Sequence, residues 1–359
     1  MNVWLRAFAG LCGLSLQIVV LDAAIRTFLL PRVANVRLSR TISKVVGRVF
    51  TMFARTSKSY PRRDQILSIY PSIVLLTFQA TWLAISLVAF ALGFVAAGAP
   101  SFALAFQMSG SSLFTLGNVA AHGGALIVLQ FLEAGVGLTL LALLIAFIPT
   151  LYTAFQRREY SVSRLGVRAG IPATPWGVLE IAQSVESYER LDELWHEWEQ
   201  WFIDVGETHS TLTILNYYRS PNANQTWVGS AATVLDAAAL FNAAVDATPS
   251  PTAGLCIRSG WLTLRKLGDY FGVTYPTQLD RTVPISISRE EFDLVLVRLE
   301  RAGVPLVADR EAAWADFAGW RMNYDAIIES LYGLFNCPRT DWHQSSIQPL
   351  FGPSNKRGA

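Results

Sequence analysis

Not one Asp, Glu, Lys or Arg occurs in the 68 residues from Gln65 to Leu132. About a quarter of a soluble domain's residues are charged, so this absence excludes an ordinary water-exposed fold for the stretch. One membrane crossing does not account for it either. A helix rises about 1.5 Å per residue and the hydrocarbon slab is about 30 Å thick, so a span uses roughly 20 residues. Acids are also missing between Arg26 and Arg63, where ten basic residues stand. Cysteine is scarce: Cys12, Cys256 and Cys337 give no disulfide framework and suit a reducing interior. No nucleophile, base and oxyanion-donor cluster emerges, so an enzyme is not expected. The four histidines, His122, His196, His209 and His343, are scattered. His196, Glu207 and His209 have no specific ligand spacing, so neither a metal site nor a cofactor is expected.

What is present divides the chain. Hydrophobic residues make up 52% and charged residues 16%, and most of the acids fall after residue 155. Residues 1–155 read as mostly membrane-embedded and 156–359 as a soluble domain, so the net charge of +2 averages a basic half with a more acidic tail. The uncharged run resolves into a span over 69–97, a short apolar helix over 101–114, a polar Gly-rich stretch over 115–124 and a second span over 125–152. Pro100 breaks the chain before the short helix, and Gly117, Gly123 and Gly124 mark its non-helical part. Irregular backbone survives at membrane depth only where protein buries it or where it lines a water-filled cavity. The short segment therefore reads as re-entrant. A further span covers 3–30; its apolar run is too long for a signal peptide and lacks a small-x-small cleavage site. Within it Asp22 and Arg26 share a helix face and are expected to pair.

Lys and Arg concentrate in cytoplasmic loops, which puts the basic connector inside, the N-terminus outside and the C-terminal domain in the cytoplasm. Val33, Val36, Arg37, Arg40, Lys44 and Arg48 fall at helical spacing, with Val45, Val49, Met52 and Phe53 as an apolar side. This predicts an amphipathic helix on the anionic lipids of the inner leaflet, with no nucleic-acid partner. The domain reading is 1–32 first transmembrane helix, 33–66 connector, 67–155 re-entrant module and 156–359 cytoplasmic domain.

Over about 69–155 the order of elements resembles the pore module of tetrameric potassium-channel-like proteins. Ser111-Ser-Leu-Phe-Thr-Leu-Gly117 stands where that family has the end of its pore helix and the Thr-Val-Gly of its Thr-Val-Gly-Tyr-Gly filter. Thr27-Phe-Leu-Leu-Pro31-Arg32, Gln156-Arg-Arg-Glu-Tyr160, Tyr218-Arg-Ser220 and Asn224-Gln-Thr-Trp227 resemble recurrent segments of prokaryotic ion-channel family proteins. The resemblance implies an all-α membrane protein with three transmembrane helices, a re-entrant pore helix and filter, and a mainly α-helical cytoplasmic domain. It also implies a homotetramer in which backbone carbonyls replace an ion's water shell. Carried over by position, the filter is Thr115, Leu116, Gly117 and Asn118, supported by Ser111, Ser112, Phe114 and Val119. Asn118 replaces the family's Tyr and Val119 its second Gly, which points either to a wider, weakly selective outer filter or to one held by Asn118 hydrogen bonds. The expected function is passive conduction of monovalent cations, potassium first, with a non-conducting scaffold or sensor as the rival.

Other residues carry paired expectations. Glu133, an acid inside the last span, either accepts hydrogen bonds from the Ser111 or Ser112 region behind the filter or snorkels to the outer interface. Gly135 and Gly137 serve as a gating hinge or as helix packing. His122 forms an acid-responsive ring at the outer mouth or is an isolated loop histidine. In the tail, Ile181, Val185, Tyr188, Trp195, Trp198 and Phe202 make a helical core stripe, and Glu186 belongs to its polar side. Ser288-Arg-Glu-Glu291 is a capping box. Residues 314–335 read as one helix, and 274–287 as a loop or short strands.

Overall fold

The computed structural model describes residues 2–29, 37–57, 59–185, 188–276, 284–340 and 342, with backbone alone at 37 and 189. Pro31, Arg32, Val33, Val36, Lys58, Glu186 and His343 lie outside the described residues. The fold is all-helical, with no strand among the described residues; Val245 and Leu306 form one isolated bridge. Of the stretch 274–287, the described residues are irregular coil.

The chain forms two units, Met1–Thr153 and Ala154–Ala359. In the first, α1 (Val3–Phe28) packs antiparallel to α4 (Tyr70–Ala96). Glycine sets that approach: a Cβ on Gly13 would lie 2.4 Å from the Ala89 carbonyl oxygen, and one on Gly10 3.0 Å from Ala96. Small residues let apolar helices close to backbone contact where the hydrophobic effect offers little. Asp22 and Arg26 pair at 2.6 Å, both half-exposed.

α2 (Arg37–Thr56) turns Ile42, Gly47 and Ala54 toward the protein, where the Tyr70 hydroxyl donates to the Ser43 carbonyl at 3.2 Å. Val45, Val49, Met52 and Phe53 stay exposed. α3 (Tyr60–Ser68) leads through Ile69 into α4, and α5 (Phe102–Leu113) begins at Ser101, whose side chain accepts from the Leu104 amide. The expected span over 125–152 is part of something longer. α6 (Gly124–Ala169) runs 46 residues, or about 70 Å, passing Pro149 and the Arg157-Arg158 pair without a break. Residue 155 is therefore a change of composition, not the end of an element.

The second unit is built around α9 (Trp227–Ala244), whose described side chains are nearly all buried by α7 (Pro175–Ser184), α10 (Pro251–Phe271), α12 (Arg310–Arg321) and α13 (Asp325–Phe335). A helix apolar on every face needs such encasement. α8 (Glu189–Thr211), a 3-10 turn (Thr213–Tyr217) and α11 (Arg289–Arg301) complete the unit. Trp195, Trp198 and Phe202 of the expected stripe are core residues on α8, whereas Ile181 belongs to α7 and Val185 is exposed beyond its end. The Ser288–Glu291 capping box forms as read.

The expected helix over 314–335 is two helices, broken at 322–324. Across the break Arg321 and Asp325 both face inward: Arg321 meets Asp325 at 2.8 Å and also Asp236 in the middle of α9, whose other oxygen accepts from the Tyr324 hydroxyl at 2.9 Å. A carboxylate in an apolar helix survives burial only when paired and hydrogen-bonded.

Among the described residues four helices are long and apolar enough to cross a membrane: Val3–Phe28, Tyr60–Ala96, taken through the Ile69 junction, Gly124–Ala169 and Trp227–Ala244. The fourth was not among the sequence-derived spans. Its most apolar window is 89% buried within the protein, against 28% for the first and third.

Candidate functional site

The short helix α5 ends in a reversal. The Thr115 amide donates to the Ser112 carbonyl at 3.0 Å, and the Leu116 amide to the Ser111 carbonyl at 2.8 Å. These are the two bonds of a Schellman C-cap. The left-handed position it requires falls on Thr115, at φ 54°, where glycine or asparagine is usual and a β-branched residue is a genuine outlier. Gly117 takes φ 67° and Gly123 φ 117°. Val119 is not left-handed, so the glycine angle expected at its position is not needed here.

The loop that follows is fastened from two sides. Ser111, buried at the end of α5, accepts the Val119 amide on its hydroxyl at 3.1 Å. Gln130 on α6 donates from Nε2 to the Val119 carbonyl at 2.8 Å and accepts the Ala121 amide on Oε1 at 3.2 Å. One helical turn on, Glu133 is fully buried and accepts from the Ser109 hydroxyl, while its Oε2 is buried without a hydrogen-bond partner among the described residues. The donor is thus one turn or less before the Ser111 or Ser112 expected, and the bonded carboxylate oxygen faces α5. Ser109 and Gln130 escaped the sequence reading. The available signal was their polarity inside an uncharged run, where a side chain able to hydrogen-bond needs a partner.

The remaining expected residues are distributed as follows. Ser112 is buried and bonds its own helix at Met108 O, 2.9 Å. Phe114, Thr115, Leu116, Gly117 and Asn118 are exposed in the single chain, Leu116 by 65%. His122 is exposed as well. Gly137 packs: a Cβ there would lie 2.4 Å from the Leu113 carbonyl at the end of α5. A Cβ on Gly135 would meet nothing within 4 Å, and α6 is unbroken at both.

A second cluster lies in the second unit, around Arg158. Its guanidinium, with no exposed surface, donates to Glu159 at 2.7 Å, His209 Nε2 at 3.1 Å, the Leu215 carbonyl at 3.0 Å and the Tyr218 carbonyl at 2.7 Å. It lies 5.3 Å from the Phe155 ring centre and 5.5 Å from that of Trp227. Gln225 donates to the Val162 carbonyl. The segments 156–160, 218–220 and 224–227, separate in sequence, therefore meet around one buried cation. Arginine carries only donors, so His209 Nε2 must be the unprotonated nitrogen and Nδ1, 3.1 Å from Thr208 Oγ1, carries the proton. Burial, then the Arg158 charge, hold the His209 pKa well below the usual imidazole value.

Metal chemistry finds no cluster of three His, Cys, Asp or Glu side chains among the described residues. His196 and His209 are thirteen residues apart on α8, about 20 Å along its axis; His196 is exposed beside Glu199, and Glu207 pairs with Lys266 at 2.8 Å. No family model, no curated protein and no solved structure matches this chain.

Proposed function

We propose that the chain is a passive channel for monovalent cations in the cell membrane, permeable to potassium and weakly discriminating against sodium. Val3–Phe28, α4 and α6 are the three spans in this proposal, α5 is the re-entrant pore helix, and four identical subunits surround one pore. The N-terminus lies outside and the C-terminal unit in the cytoplasm. The basic connector rests on anionic inner-leaflet lipid. No nucleic acid, no catalysis and no cofactor beyond the permeant ion belongs to it.

One observation carries the proposal: Ser111 and Gln130 fasten the irregular backbone over 115–121 between two apolar helices, with Glu133 and Ser109 buried behind it. Non-helical backbone at membrane depth must line water or be covered by protein, and 114–118 are uncovered in one chain. Fourfold assembly would turn that open side toward a shared axis, where carbonyl and threonine oxygens can take the place of an ion's water. α9 stays with the cytoplasmic unit because its own neighbours cover it. The test is flux from potassium-loaded and sodium-loaded liposomes, with Gly117→Asp as control, alongside crosslinking to count subunits. Potassium efflux from a tetramer, lost in the variant, is expected. Silence toward both ions across pH and voltage in a verified tetramer would favour a channel-derived scaffold.

A further inference from the structure

We propose that Gln130 fixes where the oxygen-lined ion path ends, at Asn118, and so sets the pore's weak preference between potassium and sodium; this rests on the channel reading above. A carboxamide is planar, with one donor arm and one acceptor arm, and both arms of Gln130 are in use. Nε2 meets the Val119 carbonyl at 2.8 Å and Oε1 the Ala121 amide at 3.2 Å. From the other side the Val119 amide reaches Ser111 Oγ at 3.1 Å. Val119 is therefore held through both its backbone polar groups, one by α5 and one by α6.

The consequence concerns coordination. A carbonyl-lined filter strips an ion by offering successive rings of oxygen. A carbonyl turned to α6 to receive Gln130 is turned from the opposite side of the loop. The strip available to an ion is then 115–118, and beyond it the ion regains water. Fewer rings in series ask less dehydration of the ion, so potassium and sodium are separated less sharply. Gln130 is placed for this by helical spacing, since it lies three residues before Glu133 on the same face of α6, and Glu133 meets Ser109 of α5. The two helices thus grip one another below the loop while Gln130 grips the loop itself.

Two substitutions separate the arms. Gln130→Met keeps the length and removes both arms; Gln130→Glu keeps an acceptor for the Ala121 amide and sets a carboxylate against the Val119 carbonyl. Wild type and both variants would be compared in liposomes for potassium-to-sodium flux ratio, and in nanodiscs for amide exchange over 119–121. Gln130→Met is expected to speed exchange there and change the flux ratio by about two- to tenfold, the scale of a lost hydrogen bond, with Gln130→Glu shifting the ratio while exchange at Ala121 stays slow. Unchanged exchange in Gln130→Met would overturn the clamp. Faster exchange with an unchanged ratio, in a conducting protein, would overturn the assignment of selectivity to it. A wild type that passes neither ion, with exchange still faster in Gln130→Met, would locate the failure in the channel reading.

Discussion

Thr115 is the residue whose backbone is hardest to reconcile with its side chain. Left-handed geometry costs an L-residue roughly 1–2 kcal/mol, more readily borne by glycine, yet φ is 54° here. The Schellman bonds from Thr115 and Leu116 over-determine the turn, and strain retained in this way clusters where a side chain is needed for function. Thr115→Gly is expected to raise thermal stability in detergent by about 1 kcal/mol while impairing flux. A loss of stability would mean that the hydroxyl, not the angle, dominates at this position. His209 supplies the second residue-scale expectation. Its folded pKa is lowered by burial and by Arg158, so the unfolded chain binds the extra proton. The stabilisation is complete above about pH 6.5, the unfolded value, and is lost as pH falls below it. His209→Gln keeps a polar group for Arg158 without a titration, and its stability should fall less steeply between pH 6.5 and 5 in denaturant titrations; parallel slopes would remove His209 from the acid response. Neither residue's geometry was legible beforehand. Thr115 was read as a filter position from the Thr-Leu-Gly motif, but its angle depends on how α5 ends, and His209 acquires its meaning only from Arg158, 51 residues away in sequence.

At the scale of elements, local signals were the legible ones. Ser288 and Glu291 cap their helix because both partners lie within one turn, and Pro100 with Ser101 marks the start of α5 because the cap is likewise local. Other boundaries fall where local pattern and composition do not put them. Residues 314–335 have the apolar pattern of one helix, but the backbone breaks at 322–324; Arg321, one turn before Asp325, pairs with it and with Asp236 on α9. α6 changes composition near residue 155, whereas its helix continues for 17 residues beyond 152 to Ala169. Gly135 and Gly137 of α6 separate cleanly. Gly137 has a backbone oxygen where its Cβ would go, and Gly135 faces open space. Gly137→Ala is expected to cost about 1–3 kcal/mol through overpacking. Gly135→Ala should be neutral or gain up to about 1 kcal/mol from helix propensity. Thermal unfolding in detergent compares them, and equal effects would contradict the packing assigned to Gly137.

For the molecule as a whole, the absence of charge over 65–132 and the acids gathered after residue 155 carried the division into an apolar helical part and a second helical unit. Composition could not reveal how the second unit encloses its own apolar helix, because Trp227–Ala244 is long and apolar enough for a span and its burial by neighbours is what sets it apart. Nor could it reveal Gln130, a single amide whose partners, the Val119 carbonyl and the Ala121 amide, are backbone groups carrying no sequence signature. In the channel proposed above, the loop held by Ser111 and Gln130 conducts only when several chains enclose it, and that is a property of the assembly. Recording from planar bilayers that contain the purified full chain tests this most directly, with potassium on one side and sodium on the other. Discrete unitary currents carried by both ions are expected, with a reversal potential displaced modestly toward potassium and with no steps from Gly117→Asp. Smooth leak indistinguishable between wild type and Gly117→Asp, from protein verified as a tetramer, would contradict conduction through this loop.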